Sequence, residues 1–427
     1  MTPDARIKAN LEIMEKCAAS SRIPMDGVVG DYMRHRRYIG SKDRAEIAES
    51  AYEIVRHHAR LSWWLEQLKI KDTPRNRMIV WLKLGENADV DRIFSGSKYG
   101  AEQLSKDEHK ILKALEGQVL AHDDMPETVK VECPQQYEEK LRGYFGDDFA
   151  IEMAAMIPSA TLDLRVNTWS SDVEKAQESL HKSGIRTDKC EYAVNGLRVR
   201  GKAYLAKTKA FLKGWVEIQD EGSQLIGQAC DAQPGMQVLD YCAGAGGKTL
   251  CLASAMQNKG RIVAMDLDEA RLSKAKPRLK KAGVHDIVEL RALSEDRGKK
   301  WLKRQKGTFD IVLTDVPCTG TGTWRRNPDM RWRNYGPSLE ELVVVQADIL
   351  DRVTKAVKPG GKLVYATCSL LPDENEKQIE AFLARNDEFE QIPVPEGIPS
   401  ENGFMRLAPH RHNTDGFFAA VLRKKEA

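Results

Sequence analysis

The stretch Val238-Leu239-Asp240-Tyr241-Cys242-Ala243-Gly244-Ala245-Gly246-Gly247-Lys248-Thr249 decides how the chain is read. An apolar strand runs into a glycine-rich turn, and the turn opens a helix. Glycines let a ligand approach the backbone closely, and the first turn of a helix offers N–H groups that have no partner within the helix. The stretch nearly spells the triphosphate loop Gly-x(4)-Gly-Lys-Thr. The first glycine of that motif would fall at position 242, which is Cys242, so the match fails where a phosphate cradle needs it.

The same pattern continues on both sides. Strands are expected over residues 237–242, 261–266, 287–292, 309–315 and 361–369, with helices over 248–257, 268–282, 339–357 and 373–386. Such alternation defines an α/β, doubly wound, mostly parallel sheet. The tail Gly416-Phe417-Phe418-Ala419-Ala420-Val421-Leu422 is expected to add an antiparallel edge strand. The second strand ends at Asp266, where an acid in this fold accepts hydrogen bonds from both hydroxyls of a ribose. A ligand with a nucleoside but no required phosphate fits S-adenosyl-L-methionine better than a dinucleotide. Two further clusters close later strands: Leu313-Thr314-Asp315-Val316-Pro317-Cys318-Thr319-Gly320 and Tyr365-Ala366-Thr367-Cys368-Ser369. Strand ends of this kind line the ligand crevice, which sets Cys318 and Cys368 over one opening.

Upstream the texture differs. The 427 residues suggest about three domains. Residues 1–125 read as all-α: Thr2-Pro3, Ser41 and Thr73-Pro74 are helix-start signals. Ile47, Ala51, Ile54, His58, Leu61, Leu65 and Leu68 trace one face of a single helix. Residues 126–218 read as a small α+β module, and 219–427 as the doubly wound domain. Lys and Arg number 66 and Asp and Glu 63, a formal net charge of +3 that excludes a histone-like polycation but leaves room for a local basic face. Arg34-His35-Arg36-Arg37 reads either as a solvated helix end or as a phosphate-contacting patch. The run from Lys299 to Lys306 reads as a solvated helix face. The eight cysteines include no Cys-x-x-Cys pair, so neither a structural zinc site nor a disulfide framework is expected. No metal is expected. No signal-peptide core or membrane span is apparent, and a monomer in the cytoplasm is expected.

Asp-x-Pro-Cys (315–318) and Thr-Cys-Ser (367–369) on successive strands, after Gly-Gly-Lys-Thr (246–249), resemble the RsmB/Sun family of RNA cytosine-5 methyltransferases. The resemblance runs from Leu164-Arg165-Val166-Asn167 to Asp415-Gly416-Phe417-Phe418. More weakly, Asp43-Arg44 and Tyr52-x-x-Val55-Arg56 resemble the NusB-like RNA-binding domain that ribosomal-RNA members carry. The resemblance implies a Rossmann-like S-adenosylmethionine-dependent catalytic domain that methylates carbon 5 of a cytosine, with 16S ribosomal RNA the expected substrate. It implies that Cys368 is the nucleophile and that Cys318 assists product elimination. It assigns the cofactor to Cys242, Ala243, Gly244, Ala245, Gly246, Gly247, Lys248, Asp266 and Asp315, with Asp315 also near the base, and RNA contacts to Arg165 and Asn167.

The sequence departs from the family at two points. Its usual loop, Cys-Ala-Ala-Pro-Gly-Gly-Lys, here has Gly244 and Ala245 in place of Ala-Pro. Its acid near the adenine has no aligned counterpart, leaving Ser294 or Asp296 as substitutes. The loop around Trp324-Arg325-Arg326 and Arg331-Trp332-Arg333 interleaves arginine and tryptophan, which suits phosphate neutralisation and base stacking, so Arg325, Arg326 and Arg331 are expected to contact RNA. The expected partner is ribosomal RNA or a small-subunit assembly intermediate. Alternatives are another ribosomal or transfer RNA cytosine, a nucleoside-triphosphate hydrolase, and a non-catalytic RNA-binding assembly factor.

Overall fold

The computed structural model describes residues 1–20, 22–294 and 296–426, apart from the side chains of Asp296, Arg297 and Lys299. It divides into two compact units, one of Met1–Ser159 with Trp324–Pro337, the other of Ala160–Thr323 with Ser338–Ala427. The boundary expected at residue 125 thus lies within the first unit, because residues beyond it continue as helices Gln135–Phe145 and Phe149–Ala155. The boundary expected at 218 lies within the second. There Asn167 Nδ2 donates to the carbonyls of Gly214 and Ala282, and the Thr168 N–H donates to Ser254 Oγ. These bonds tie the small module to two helix ends of the large domain.

The first unit is helical. Thr2 and Pro3 open the helix Pro3–Ala19, and Thr73 Oγ1 accepts the Asn76 N–H to cap Pro74–Leu84. The single helix expected after Ser41 is two, Ser41–Arg56 and His58–Gln67. Glu132 explains the break. Its fully buried carboxylate accepts the N–H groups of Ala59 at 2.7 Å and Arg60 at 3.1 Å, so the donors of a new first turn are satisfied there. One apolar face still serves both helices, and Ile54, Leu61 and Leu65 pack with Met78, Ile79 and Leu82.

Trp324–Pro337 is an excursion from the second unit into the first. Trp324 is buried, Asp329 Oδ2 accepts the Met25 N–H at 2.8 Å, and the Trp332 ring stacks on His58 at 4.7 Å.

The second unit holds two sheets. The smaller has β1 (Asp163–Val166), β2 (Thr187–Lys189), β3 (Gly196–Val199) and β4 (Val216–Ile218), all antiparallel in the order β2-β3-β1-β4. The larger has β5 (Gln237–Asp240), β6 (Arg261–Asp266), β7 (Val288–Ala292), β8 (Phe309–Asp315), β9 (Val357–Thr367), β10 (Phe389–Ile392), β11 (Ser400–Glu401), β12 (Phe404–Leu407) and β13 (Phe417–Lys424). Its order is β11-β12-β13-β9-β8-β5-β6-β7, with β10 also on β13, and β5 to β9 are parallel. Both faces are covered, as the apolar runs require. Val238, Ile262, Ile311 and Val364 pack on one side, and Leu239, Val263, Val312 and Leu363 on the other.

Two expectations need correcting. β13 is not an edge strand but lies between β9 and β12, and its residues Phe417 to Leu422 are buried without alternation. The helix expected over 268–282 is two, Glu269–Ser273 and Ala275–Ala282. Pro277 has no N–H to give the Ser273 carbonyl, and its ring crowds that group.

Candidate active site

After β5 the chain enters β6 and β7 on one side of the sheet, then crosses to β8 and β9 on the other. That reversal opens a crevice at the carboxyl ends of β5 and β8. Asp240 ends β5 and pairs with Leu313, Asp266 ends β6, and Asp315 ends β8 opposite Ala366. Cys318 lies three residues beyond Asp315, and Cys368 follows β9 directly.

The loop from Cys242 to Lys248 wraps the near side. Gly246 sits at φ +78°, and a Cβ there would meet the Ala275 Cβ at 2.8 Å, so both conformation and space call for glycine. Asp266 organises the loop: Oδ2 accepts the Gly244 N–H at 2.7 Å and Oδ1 the Asp268 N–H at 2.8 Å. Each oxygen retains a further lone pair for a ribose hydroxyl. A Cβ on Gly247 would enter open space, so the loop leaves room for a ligand at the start of the helix Gly247–Ala255. These features fit a nucleoside cofactor. Ser294, one substitute for the acid near the adenine, is exposed just after β7. The side chain of Asp296, the other, lies outside the described residues, as does that of Lys299.

Lys248 Nζ donates to Asp315 Oδ2 at 2.6 Å. Burial works against the ammonium charge, but Asp315, with Cys368 adding to it, outweighs burial and raises the lysine above its usual range. Lys248 is therefore a fixed cation that also interacts electrostatically with Cys368, a neighbour the sequence alone did not identify. Burial pushes the Asp240 carboxyl up to about 7, against the Thr249 hydroxyl that donates to it at 2.6 Å.

The Cys318 and Cys368 sulfurs are 3.4 Å apart. The hydrogen bond to Cys368, then burial, hold the Cys318 thiol well above its usual range. Cys242 is also held as a thiol, by burial and by the carboxylates of Asp315, Asp266 and Asp240. A thiol in that setting is a poor nucleophile.

Hydroxyls knit the Cys318 loop to the end of β9. Ser369 Oγ lies 3.2 Å from both Thr319 Oγ1 and Thr321 Oγ1, and the Gly322 N–H donates to the Cys368 carbonyl at 3.0 Å. A Cβ on Gly322 would run into the Gly416 carbonyl, so the tail strand sets this approach.

Behind the loop stand residues that sequence reasoning missed. Glu374, Asn375 and Gln346 are all buried. Glu374 was legible only as a first-turn acid of the next helix. Gln346 did carry a signal: it shares the buried stripe of Leu339–Val353 with Leu342, Ile349, Leu350 and Val353, and a polar residue in a core stripe requires a buried partner.

The structure does not bring the expected RNA contacts together. Arg165 is buried with Nε on Gln219 at 2.7 Å, and Asn167 is held in the module-to-domain bonds. Arg325 and Arg331 are also buried. Arg331 lies over the Trp324 ring at 4.8 Å, donates to the Met156 carbonyl at 3.2 Å, and is lowered by burial to about 10. These four side chains are buried in internal contacts in this structure. Arg326 alone of the set is exposed.

A parallel doubly wound sheet, a glycine loop under an acid at the second strand end, and two facing cysteines define an S-adenosyl-L-methionine-dependent methyltransferase. Residues 228–423 match the family model described as 16S rRNA methyltransferase RsmB/F. A probable ribosomal RNA small subunit methyltransferase B of Synechocystis sp. is 30% identical over 410 residues, covering 90% of this chain and 91% of that protein. The crystal structure of PH0851 superposes with a TM-score of 0.78 at 26% identity, covering 99% of each chain. A methyltransferase homolog protein from Pyrococcus horikoshii gives 0.59 at 28% identity, covering 70% of this chain and 97% of its own. The chain belongs to the RsmB/F family of 16S rRNA methyltransferases. It is an RNA methyltransferase, and its cofactor is S-adenosyl-L-methionine. Among the described residues no helix is long and apolar enough to cross a membrane.

Proposed function

We propose that the protein methylates carbon 5 of a cytosine in 16S ribosomal RNA through a covalent bond between Cys368 and the base. The facing sulfurs of Cys318 and Cys368, 3.4 Å apart beside the Lys248–Asp315 pair, carry this reading. Bound S-adenosyl-L-methionine supplies an electrophilic methyl group. Carbon 5 of cytosine is a weak nucleophile. Addition of the Cys368 thiolate to carbon 6 forms a C–S bond and shifts electron density to carbon 5, splitting one hard step into two.

Release then requires loss of the carbon 5 proton and cleavage of the C–S bond, which returns the electron pair to Cys368. Cys318 takes that proton in this reading. While Cys368 is anionic, it holds Cys318 protonated. Once Cys368 is bonded to carbon 6, the contact with it that contributes most to holding Cys318 as a thiol is lost, which favours Cys318 in the role of base. The two sulfurs thus exchange roles in sequence.

Asp266 and residues 242–248 hold the cofactor, and Asp315 stands between it and the base. The helical unit is a NusB-like RNA-binding domain in this reading, supported by exposed Arg34 and Arg37. The enzyme acts as a cytoplasmic monomer on ribosomal RNA or an assembling small subunit. Bisulfite sequencing of 16S RNA treated with enzyme and cofactor tests the reading. A single cytosine should become protected with the wild type and remain unprotected with Cys368→Ala. Methyl incorporation without any protected cytosine would overturn it.

A further inference from the structure

Two adjacent residues behind the crevice hold the two cysteine segments separately. The Glu374 carboxylate is fully buried and holds the Cys318 loop. Oε1 accepts the Thr319 N–H at 2.9 Å, and Oε2 accepts the Thr319 hydroxyl at 2.5 Å. Gln346 Nε2 bridges the same loop, donating to Glu374 Oε1 and to the Pro317 carbonyl, each at 2.9 Å. Both neighbours of Cys318 are therefore fixed to Glu374, directly or through Gln346.

Asn375 holds the other segment. Its Oδ1 accepts the Thr367 hydroxyl at 2.6 Å, and its Nδ2 donates to the Ser369 carbonyl at 2.9 Å. Both neighbours of Cys368 are fixed to Asn375. The pair itself is pinned by Tyr365, whose hydroxyl donates to the Glu374 carbonyl at 2.6 Å.

Both carboxylate oxygens of Glu374 are hydrogen-bonded, as a polar group buried this deeply requires. A carboxylate accepts from an N–H, an amide and a hydroxyl at once without offering a donor of its own.

We propose that Glu374 and Asn375 are positioning residues that set the two sulfurs against each other, Glu374 through the Cys318 loop and Asn375 through the end of β9. The proposal rests on the assignment of attack to Cys368 and release to Cys318. It predicts a division that a general structural role does not: loosening Glu374 impairs release, and loosening Asn375 impairs attack.

The test uses the full chain with in vitro transcribed 16S RNA and labelled S-adenosyl-L-methionine. It measures kcat, KM for RNA, melting temperature, and the fraction of protein in a denaturant-resistant RNA adduct. Cys318→Ala and Cys368→Ala serve as references. Glu374→Ala should lower kcat by up to about a hundredfold, the scale for a small misplacement of a reacting group, with KM little changed and adduct accumulating as in Cys318→Ala. Glu374→Gln keeps one acceptor for the Thr319 N–H and Gln346 but turns an amide NH2 toward the Thr319 hydroxyl, so it should restore part of the rate lost in Glu374→Ala. Asn375→Ala should lower kcat and adduct together, as Cys368→Ala does. Should Glu374→Ala not fold, Gln346→Ala removes the bridge from Glu374 to the Pro317 carbonyl and carries the same expectation in smaller measure. The proposal is overturned if the Glu374 and Asn375 variants share one adduct phenotype, if Glu374→Gln is as impaired as Glu374→Ala, or if each loss of rate merely follows melting temperature. If the two cysteine references themselves fail to show opposite adduct behaviour, the underlying assignment falls instead.

Discussion

Cys318 Sγ and Cys368 Sγ face each other at 3.4 Å, one from the loop after β8 and the other from the first residue past β9. The parallel register that sets Asp315 opposite Ala366 brings them there. At this separation the contact with Cys368, together with burial, holds the Cys318 thiol well above its usual range. In the proposed reaction, the nucleophile and the later base come from this one contact.

Cys368→Ala should abolish both turnover and covalent attachment to RNA. Cys318→Ala should retain attack and one methyl transfer but stall before elimination, leaving a protein–RNA adduct on a denaturing gel. The opposite pattern would reverse the two roles, and unchanged turnover in both variants would remove the cysteines from the mechanism.

Asp266 holds Gly244 and Asp268 through separate oxygens. Asp266→Ala should weaken S-adenosyl-L-methionine binding by about 1–3 kcal/mol, the scale for hydrogen bonds to a charged group. Calorimetric titration reads this directly, and an unchanged affinity would refute the role.

Asp240 gives a pH signature. Burial raises its carboxyl from 3.8 to about 7, so the folded state holds a proton that the unfolded chain releases. Its contribution to stability is complete below the unfolded value and fades as pH rises through about 7, by on the order of a few kcal/mol. Asp240→Asn keeps an acceptor for Thr249 and cannot ionise. Its melting temperature relative to wild type should be higher at pH 8 than at pH 5. Equal differences at the two pH values would contradict the assignment.

Arg331 and Arg326 should part company although both come from the same arginine-rich loop. Arg331→Ala removes a buried side chain from the helical unit and should cost roughly 2–4 kcal/mol in stability, visible as a lower melting temperature. Arg326→Ala should leave melting unchanged and reduce the salt dependence of RNA binding by about 0.7–0.9 in log–log slope if it contacts one phosphate. A normal melting temperature for Arg331→Ala would show that its burial carries no weight.

The sequence by itself determined the parallel sheet, its glycine loop, the acid at the end of β6 and the two cysteines at strand ends. These are local: apolar runs bounded by turns make strands, a helix follows a glycine turn, and residues just past parallel strands face the crevice wherever the rest of the chain goes. Tertiary structure alone decided the rest. An arginine beside a tryptophan has the same local chemistry whether it meets a phosphate or a carbonyl. Arg331 meets the carbonyl of Met156, 175 positions away in the chain. Asn167 and Ala282 are likewise joined across 115 positions, and Thr319 and Glu374 across 55. Glu132 splits a helix more than 70 residues upstream by capping it from outside. Polar side chains declare what they can bond, but burial selects the partner, and burial is a property of the folded chain.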